Sequence, residues 1–122
     1  MNFCVIGAGR AGAIHARNLS KRIRSTRLVA LCDRDEEGMH RLGEEVGVSA
    51  CVADYREAVA RPDVDAVVIA TPTFLHCEIA VAAAEHGKHV FLEKPMAVTV
   101  EECQQILAAV QLAGVKLQIG FM

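Results

Sequence analysis

A chain of 122 residues, 52% hydrophobic and 23% charged, has the apolar content for one core and not the length for a second full-sized domain, so residues 1–122 are expected to form a single unit. The formal net charge is -2 and the 13 Lys and Arg are scattered, apart from Lys21, Arg22, Arg24 and Arg27, which argues against nucleic acid as a partner. No apolar run approaches the roughly 20 residues of a membrane span, and Met1-Asn2 leads straight into Phe3-Cys4-Val5-Ile6 without a basic leader, so the expected setting is cytoplasmic with no membrane partner.

In chain order, apolar β-type runs at residues 3–6, 28–32, 50–52, 66–70, 89–92 and 116–119 alternate with helix-period segments, the third run being the weakest. That alternation predicts an α/β fold, a six-stranded doubly wound parallel sheet of Rossmann type in the order 3-2-1-4-5-6. Runs such as Ala66-Val67-Val68-Ile69-Ala70 are continuous, as suits strands covered on both faces. Asp54 with Glu57 and Thr99 with Glu102 have the spacing of a capping box at a helix start, and Gly47, Gly87 and Gly114 stand where helices should end. Leu75, Ile79, Ala82 and Ala83, and later Cys103, Ile106, Leu107 and Val110, form stripes expected to face the sheet. Cysteines 4, 32, 51, 77 and 103 contain no C-x-x-C and read as free thiols in a reducing compartment. With His15, His40, His86 and His89 unpaired in sequence, no metal site is expected. Five aromatics are too few for a platform that stacks nucleic-acid bases.

The first strand runs into Gly7-Ala8-Gly9-Arg10-Ala11-Gly12, a complete G-x-G-x-x-G followed by a helix-forming segment. Gly7 permits the tight turn, Gly9 lets a pyrophosphate approach the backbone, and Gly12 brings helix and strand together. The helix start at Arg10-Ala11-Gly12 offers unpaired N–H groups to the phosphates. Asp33 ends the second strand 21 positions after Gly12, where a carboxylate accepts hydrogen bonds from the adenosine ribose and meets a 2'-phosphate with like charge. NAD is therefore the expected cofactor, with NADP admitted if Arg34 turns toward a 2'-phosphate. The competing role for Asp33 is a helix N-cap, and for Arg34 a solvated surface charge.

The fourth strand ends in Thr71-Pro72-Thr73-Phe74-Leu75-His76, a loop that should flank the cofactor beyond the carboxyl ends of the strands. Thr71 or Thr73 can equally cap the next helix, and His76 either reaches the cofactor or substrate or stays exposed on the helix. The fifth strand ends in Glu93-Lys94-Pro95. A lysine placed there can hydrogen-bond a substrate hydroxyl and stabilise the alkoxide as hydride leaves, with Glu93 fixing Lys94 or binding the nicotinamide ribose. Taken alone, the triplet is a surface ion pair with a turn proline, and Pro95 admits a cis peptide.

Together these residues, with Ile14-His15-Ala16, Asn18-Leu19, Leu28-Val29-Ala30, Met96-Ala97 and the closing Gly120-Phe121-Met122, resemble the N-terminal domain of the glucose-fructose oxidoreductase, inositol dehydrogenase and rhizopine-catabolism family, Gfo/Idh/MocA. The resemblance covers the whole chain. It implies a nicotinamide-binding Rossmann fold, Lys94 as the catalytic lysine, and oxidation or reduction of a hydroxyl or keto carbon on a small-molecule sugar or polyol, inositol in particular. It also implies a homo-oligomer, and a second α/β domain that lines the substrate pocket and supplies an Asp and His pair. No such domain occurs in this sequence, so the expectation is a chain that binds dinucleotide, turns over little and tends to associate. Two rival readings share the architecture. One is a non-catalytic dinucleotide-binding or redox-sensing module; the other is a NADP-dependent reductase of carbonyl or bilin-like substrates, distinguished at Arg34.

Overall fold

Four consecutive apolar residues, Ala66 to Ile69, form a strand whose side chains are all buried, and this strand lies at the centre of the sheet. The computed structural model describes residues 1–120. Within them the elements run β1 (Asn2–Ile6), α1 (Arg10–Lys21), β2 (Arg27–Cys32), α2 (Glu36–Val46), β3 (Cys51–Val52), α3 (Tyr55–Ala60), β4 (Ala66–Ile69), a 3-10 turn (Thr73–Leu75), α4 (His76–Glu85), β5 (His89–Glu93), α5 (Val100–Ala113) and β6 (Leu117–Gly120). All six strands are parallel, in the order β3-β2-β1-β4-β5-β6. The doubly wound Rossmann sheet expected from the sequence is the fold observed. Phe121 and Met122 of the closing triplet lie outside the described residues.

Successive side chains along each strand point to opposite faces of the sheet, so each face packs against its own helices. One core joins Val67, Ile69, Val90 and Leu92 to Ile79, Ala80 and Ala83 of α4 and Ile106 of α5. The other joins Val5, Leu31 and Val68 to Ala16 and Leu19 of α1 and Met39 and Leu42 of α2. Short alanines on α4 let that helix lie close to the strands.

Local signals act as expected with three adjustments. Gly47, Gly87 and Gly114 take positive φ at the helix ends. The Thr99 hydroxyl accepts from the Glu102 N–H, but the returning Glu102 carboxylate accepts from Val98 and not from Thr99, while Asp54 caps the Arg56 N–H. The α5 stripe is narrower than its periodicity implies: Ile106 is buried, whereas Leu107 is 52% exposed. Helix α5 packs chiefly against α4, and Ile106 is its buried residue, so the neighbouring apolar row is left outside that contact.

Candidate functional site

Strand order reverses between β1 and β4, and the loops leaving their carboxyl ends must part there. The opening is a cavity of about 580 Å³, bordered by Gly7 and Gly9 after β1, Asp33 and Arg34 after β2, residues 53–56 after β3, and Ala70, Thr71 and Pro72 after β4. Leu75 and Ile79 form its apolar floor.

The three glycines have three different reasons. Gly7 has φ +102, and a Cβ there would lie 2.6 Å from the Ala70 carbonyl oxygen. At Gly12 a Cβ would stand 1.6 Å from the Gly7 carbonyl oxygen, so helix and loop touch backbone to backbone. A Cβ at Gly9 would meet nothing within 4 Å. The fold itself makes no demand for glycine at that position, which borders the cavity. Gly9 is also the N-cap of α1 and supplies no side chain, leaving the first-turn N–H groups of Arg10, Ala11 and Gly12 for an anion. This is the cradle that a pyrophosphate fits.

Asp33 is not a helix cap. That role falls to Asp35, whose carboxylate accepts from the Gly38 N–H at 3.2 Å. Asp33 instead accepts from the Ala8 N–H at 2.5 Å through one oxygen and from the Asp35 N–H at 2.9 Å through the other, tying the glycine loop to the end of β2. A carboxylate has lone pairs beyond these two, and Asp33 borders the cavity, so it can also accept from hydroxyls of a ligand there. Arg34 is exposed on the same wall, and Arg56 borders the cavity from the β3 side, stacked over the Tyr55 ring at 4.9 Å. Tyr55 is held by its hydroxyl, which donates to Glu78 at 2.9 Å. The sequence reading missed this β3 wall, although its position after the carboxyl end of the strand beside β2 was the available signal.

On the β4 and β5 side the predicted residues separate. Thr71 and Pro72 border the cavity; Thr73 does not, and neither threonine side chain caps the 3-10 turn or α4. His76 is 1% exposed, with Nδ1 3.0 Å from the Pro95 carbonyl oxygen and Nε2 3.0 Å from that of Thr71. Both nitrogens face protein carbonyls, so this ring is not the exposed helix histidine of one expectation. Glu93 turns to His15, whose Nε2 lies 2.5 Å from its Oε1, and not to Lys94. His15 is therefore paired through space with a carboxylate 78 residues away, a structural role. Lys94 and Pro95 are exposed just past β5, joined by a cis peptide.

Cys32 borders the cavity, and burial followed by the Asp33 charge pushes its thiol up to about 12. At about pH 8 such a thiol is protonated, and iodoacetamide should leave Cys32 unlabelled in the folded chain. Peptide mass mapping checks this; labelling as fast as in urea would contradict it. Among the described residues no cluster of three His, Cys, Asp or Glu side chains is placed to hold a metal, and no helix is long and apolar enough to cross a membrane.

A family model described as an oxidoreductase family with a NAD-binding Rossmann fold, GFO_IDH_MocA, matches residues 1–121. The chain belongs to the Gfo/Idh/MocA family. It is 36% identical over 118 residues to the scyllo-inositol 2-dehydrogenase (NAD(+)) of Bacillus subtilis, a match covering 97% of this chain and 34% of that protein. It is 37% identical over 121 residues to the myo-inositol 2-dehydrogenase of Thermotoga maritima, covering 99% and 36%. A solved structure of scyllo-inositol dehydrogenase from Lactobacillus casei, with bound NAD(H) and scyllo-inositol, superposes with a TM-score of 0.93 at 30% identity, covering 98% of this chain and 36% of that one. The chain thus spans about a third of the length of the relatives it matches. The fold of this chain is that family's NAD-binding Rossmann fold.

Proposed function

We propose that residues 1–122 are the dinucleotide-holding domain of a dehydrogenase that moves hydride between NAD and a secondary alcohol of a sugar or cyclitol, with inositol the first candidate. The observation that carries this reading is Gly9, a glycine that borders the crest cavity, caps α1 and has no neighbour within the fold to explain it. The names of the relatives support the substrate class. In this reading Gly7, Gly9 and the first turn of α1 hold the pyrophosphate. Asp33 takes the adenosine ribose, Thr71 and Pro72 flank the nicotinamide half, and Lys94 donates to the substrate oxygen and steadies its developing negative charge. Bound NAD supplies the hydride acceptor.

The reading sets the protein in the cytoplasm, in keeping with five free cysteines, and extends to a homo-oligomer, in keeping with Leu112 (92% exposed) and Leu107 facing outward from α5. The deciding experiment incubates the full-length protein with NAD and myo- or scyllo-inositol and follows NADH absorbance. Inositol-dependent NADH formation is expected. Tight NAD binding with no turnover on any polyol would favour a non-catalytic module instead.

Asp33 sets which dinucleotide is preferred. Asp33→Asn keeps an oxygen for the Ala8 N–H but removes the charge, and a hydrogen bond to a charged partner contributes about 1.5 to 3 kcal/mol. NAD affinity should fall by about tenfold or more, while NADP, relieved of repulsion and within reach of Arg34 and Arg56, should gain. Calorimetric titration of both dinucleotides checks this, and an unchanged ratio of affinities would contradict it.

A further inference from the structure

Lys94 is exposed and has no carboxylate partner among the described residues, yet the residues on either side of it are both held. Before it, the Glu93 carboxylate accepts from His15 Nε2, and both side chains are about a quarter exposed, at 25% and 24%. His15 projects from α1, the helix whose start forms the phosphate cradle, and its ring rests edge-on against Phe91 with centroids 5.2 Å apart. Phe91 and Glu93, two apart on β5, point to the α1 face of the sheet. Gly120 beside them keeps that space tight, since a Cβ there would stand 3.0 Å from the Phe91 ring and 3.6 Å from the Glu93 carboxyl carbon.

After Lys94, the Pro95 carbonyl faces His76 Nδ1, while Nε2 of the same ring faces the Thr71 carbonyl. His76 opens α4, which packs on the opposite face of the sheet, and it is buried. Both carbonyls only accept, so the imidazolium donates to both and the neutral ring to one of them. Either way, one rigid ring spans the gap between the loop after β4 and the loop after β5.

We propose that His15 and His76 are positioning residues for Lys94, gripping the residue before it and the residue after it from the two sides of the sheet. This rests on the reading of Lys94 as the lysine beside the nicotinamide. A flexible four-carbon side chain cannot be aimed unless its backbone is fixed, and misplacement by about 1 Å costs on the order of 100-fold in rate. His15 also connects the helix that holds the pyrophosphate to the strand that delivers Lys94, so cofactor and lysine share one frame.

The test uses the chain with its four lysines labelled by reductive methylation with 13C-formaldehyde, the Lys94 signal being assigned by its loss in Lys94→Arg. Addition of NAD should move the Lys94 signal in the wild type. In His15→Phe, which keeps a ring against Phe91, and in His76→Gln, which keeps one donor, NAD should still bind within about threefold of wild-type affinity, as expected for sites that do not touch the cofactor. The Lys94 signal should no longer move. A signal that moves undiminished in either variant overturns the proposal. A wild-type Lys94 signal that ignores bound NAD overturns the reading beneath it. In the full-length protein both substitutions should lower kcat by about 10- to 100-fold with KM for NAD little changed. In a Lys94→Ala background they should have no further effect; a loss that persists there is structural and contradicts positioning.

Discussion

Lys94→Ala is expected to lower kcat of the full-length protein on a polyol by about 100- to 10,000-fold, with a far smaller change in NAD affinity. Lys94 lies immediately beyond β5, at the carboxyl edge of the sheet next to the strand whose loop borders the crest cavity. An ammonium there has three donors and no acceptor, so in the proposed reading it would bond the substrate oxygen and stabilise the alkoxide formed as the hydroxyl proton is lost to a base, whose charge is then spent as hydride passes to NAD. Glu93 does not neutralise it, because that carboxylate is occupied by His15. Lys94→Arg should recover little, since a planar guanidinium presents its donors in a different geometry. Steady-state kinetics with NAD and inositol measure the loss, and calorimetry measures the binding. Turnover within about threefold of wild type in Lys94→Ala would remove the lysine from the chemistry.

The second large effect separates two glycines three residues apart. Gly12→Ala should destabilise the fold by more than about 3 kcal/mol, an extreme value for one methyl group, because its Cβ would stand 1.6 Å from the Gly7 carbonyl oxygen and α1 must move off the loop to make room. Gly9→Ala should leave the thermal midpoint within about 2 °C of wild type, as for a substitution that meets open space, since φ there is -76 and nothing lies within 4 Å. Yet the methyl group stands over the phosphate cradle, so NAD affinity should fall by at least about tenfold, or 1.4 kcal/mol. Thermal unfolding and calorimetry on the two variants give four numbers. Loss of stability at Gly9, or unimpaired binding, would mean that this glycine serves the turn alone.

The glycine fingerprint, Asp33 at the end of β2 and the Glu93-Lys94-Pro95 triplet were legible because each sits where a strand stops, and strand ends are marked by composition. The central strands were legible for the same reason: Ala66 to Ile69 is apolar without a break and admits few other places in a sheet. What escaped depends on which side chains meet across the fold. His15 and Glu93 are 78 residues apart, and no periodicity reports that one helix face and one strand end bring them together. His76 was readable as a polar residue on a helix start but not as a ring turned inward between two carbonyls. The N-cap before α2 fell to Asp35 and not Asp33, two acidic residues two apart, where only backbone geometry decides which carboxylate turns back. Leu107 obeyed its helical period and still faced outward, because a stripe records what a helix offers and not what is there to cover it.

We propose that the crest between β1 and β4 holds NAD by its phosphates and adenosine ribose. Calorimetric titration of the chain with NAD and, separately, with NADP tests it most directly. Saturable 1:1 binding, tighter for NAD and weakened by Gly9→Ala, is the predicted result. Absence of binding by either dinucleotide in a folded chain, or equal binding before and after Gly9→Ala, would contradict it.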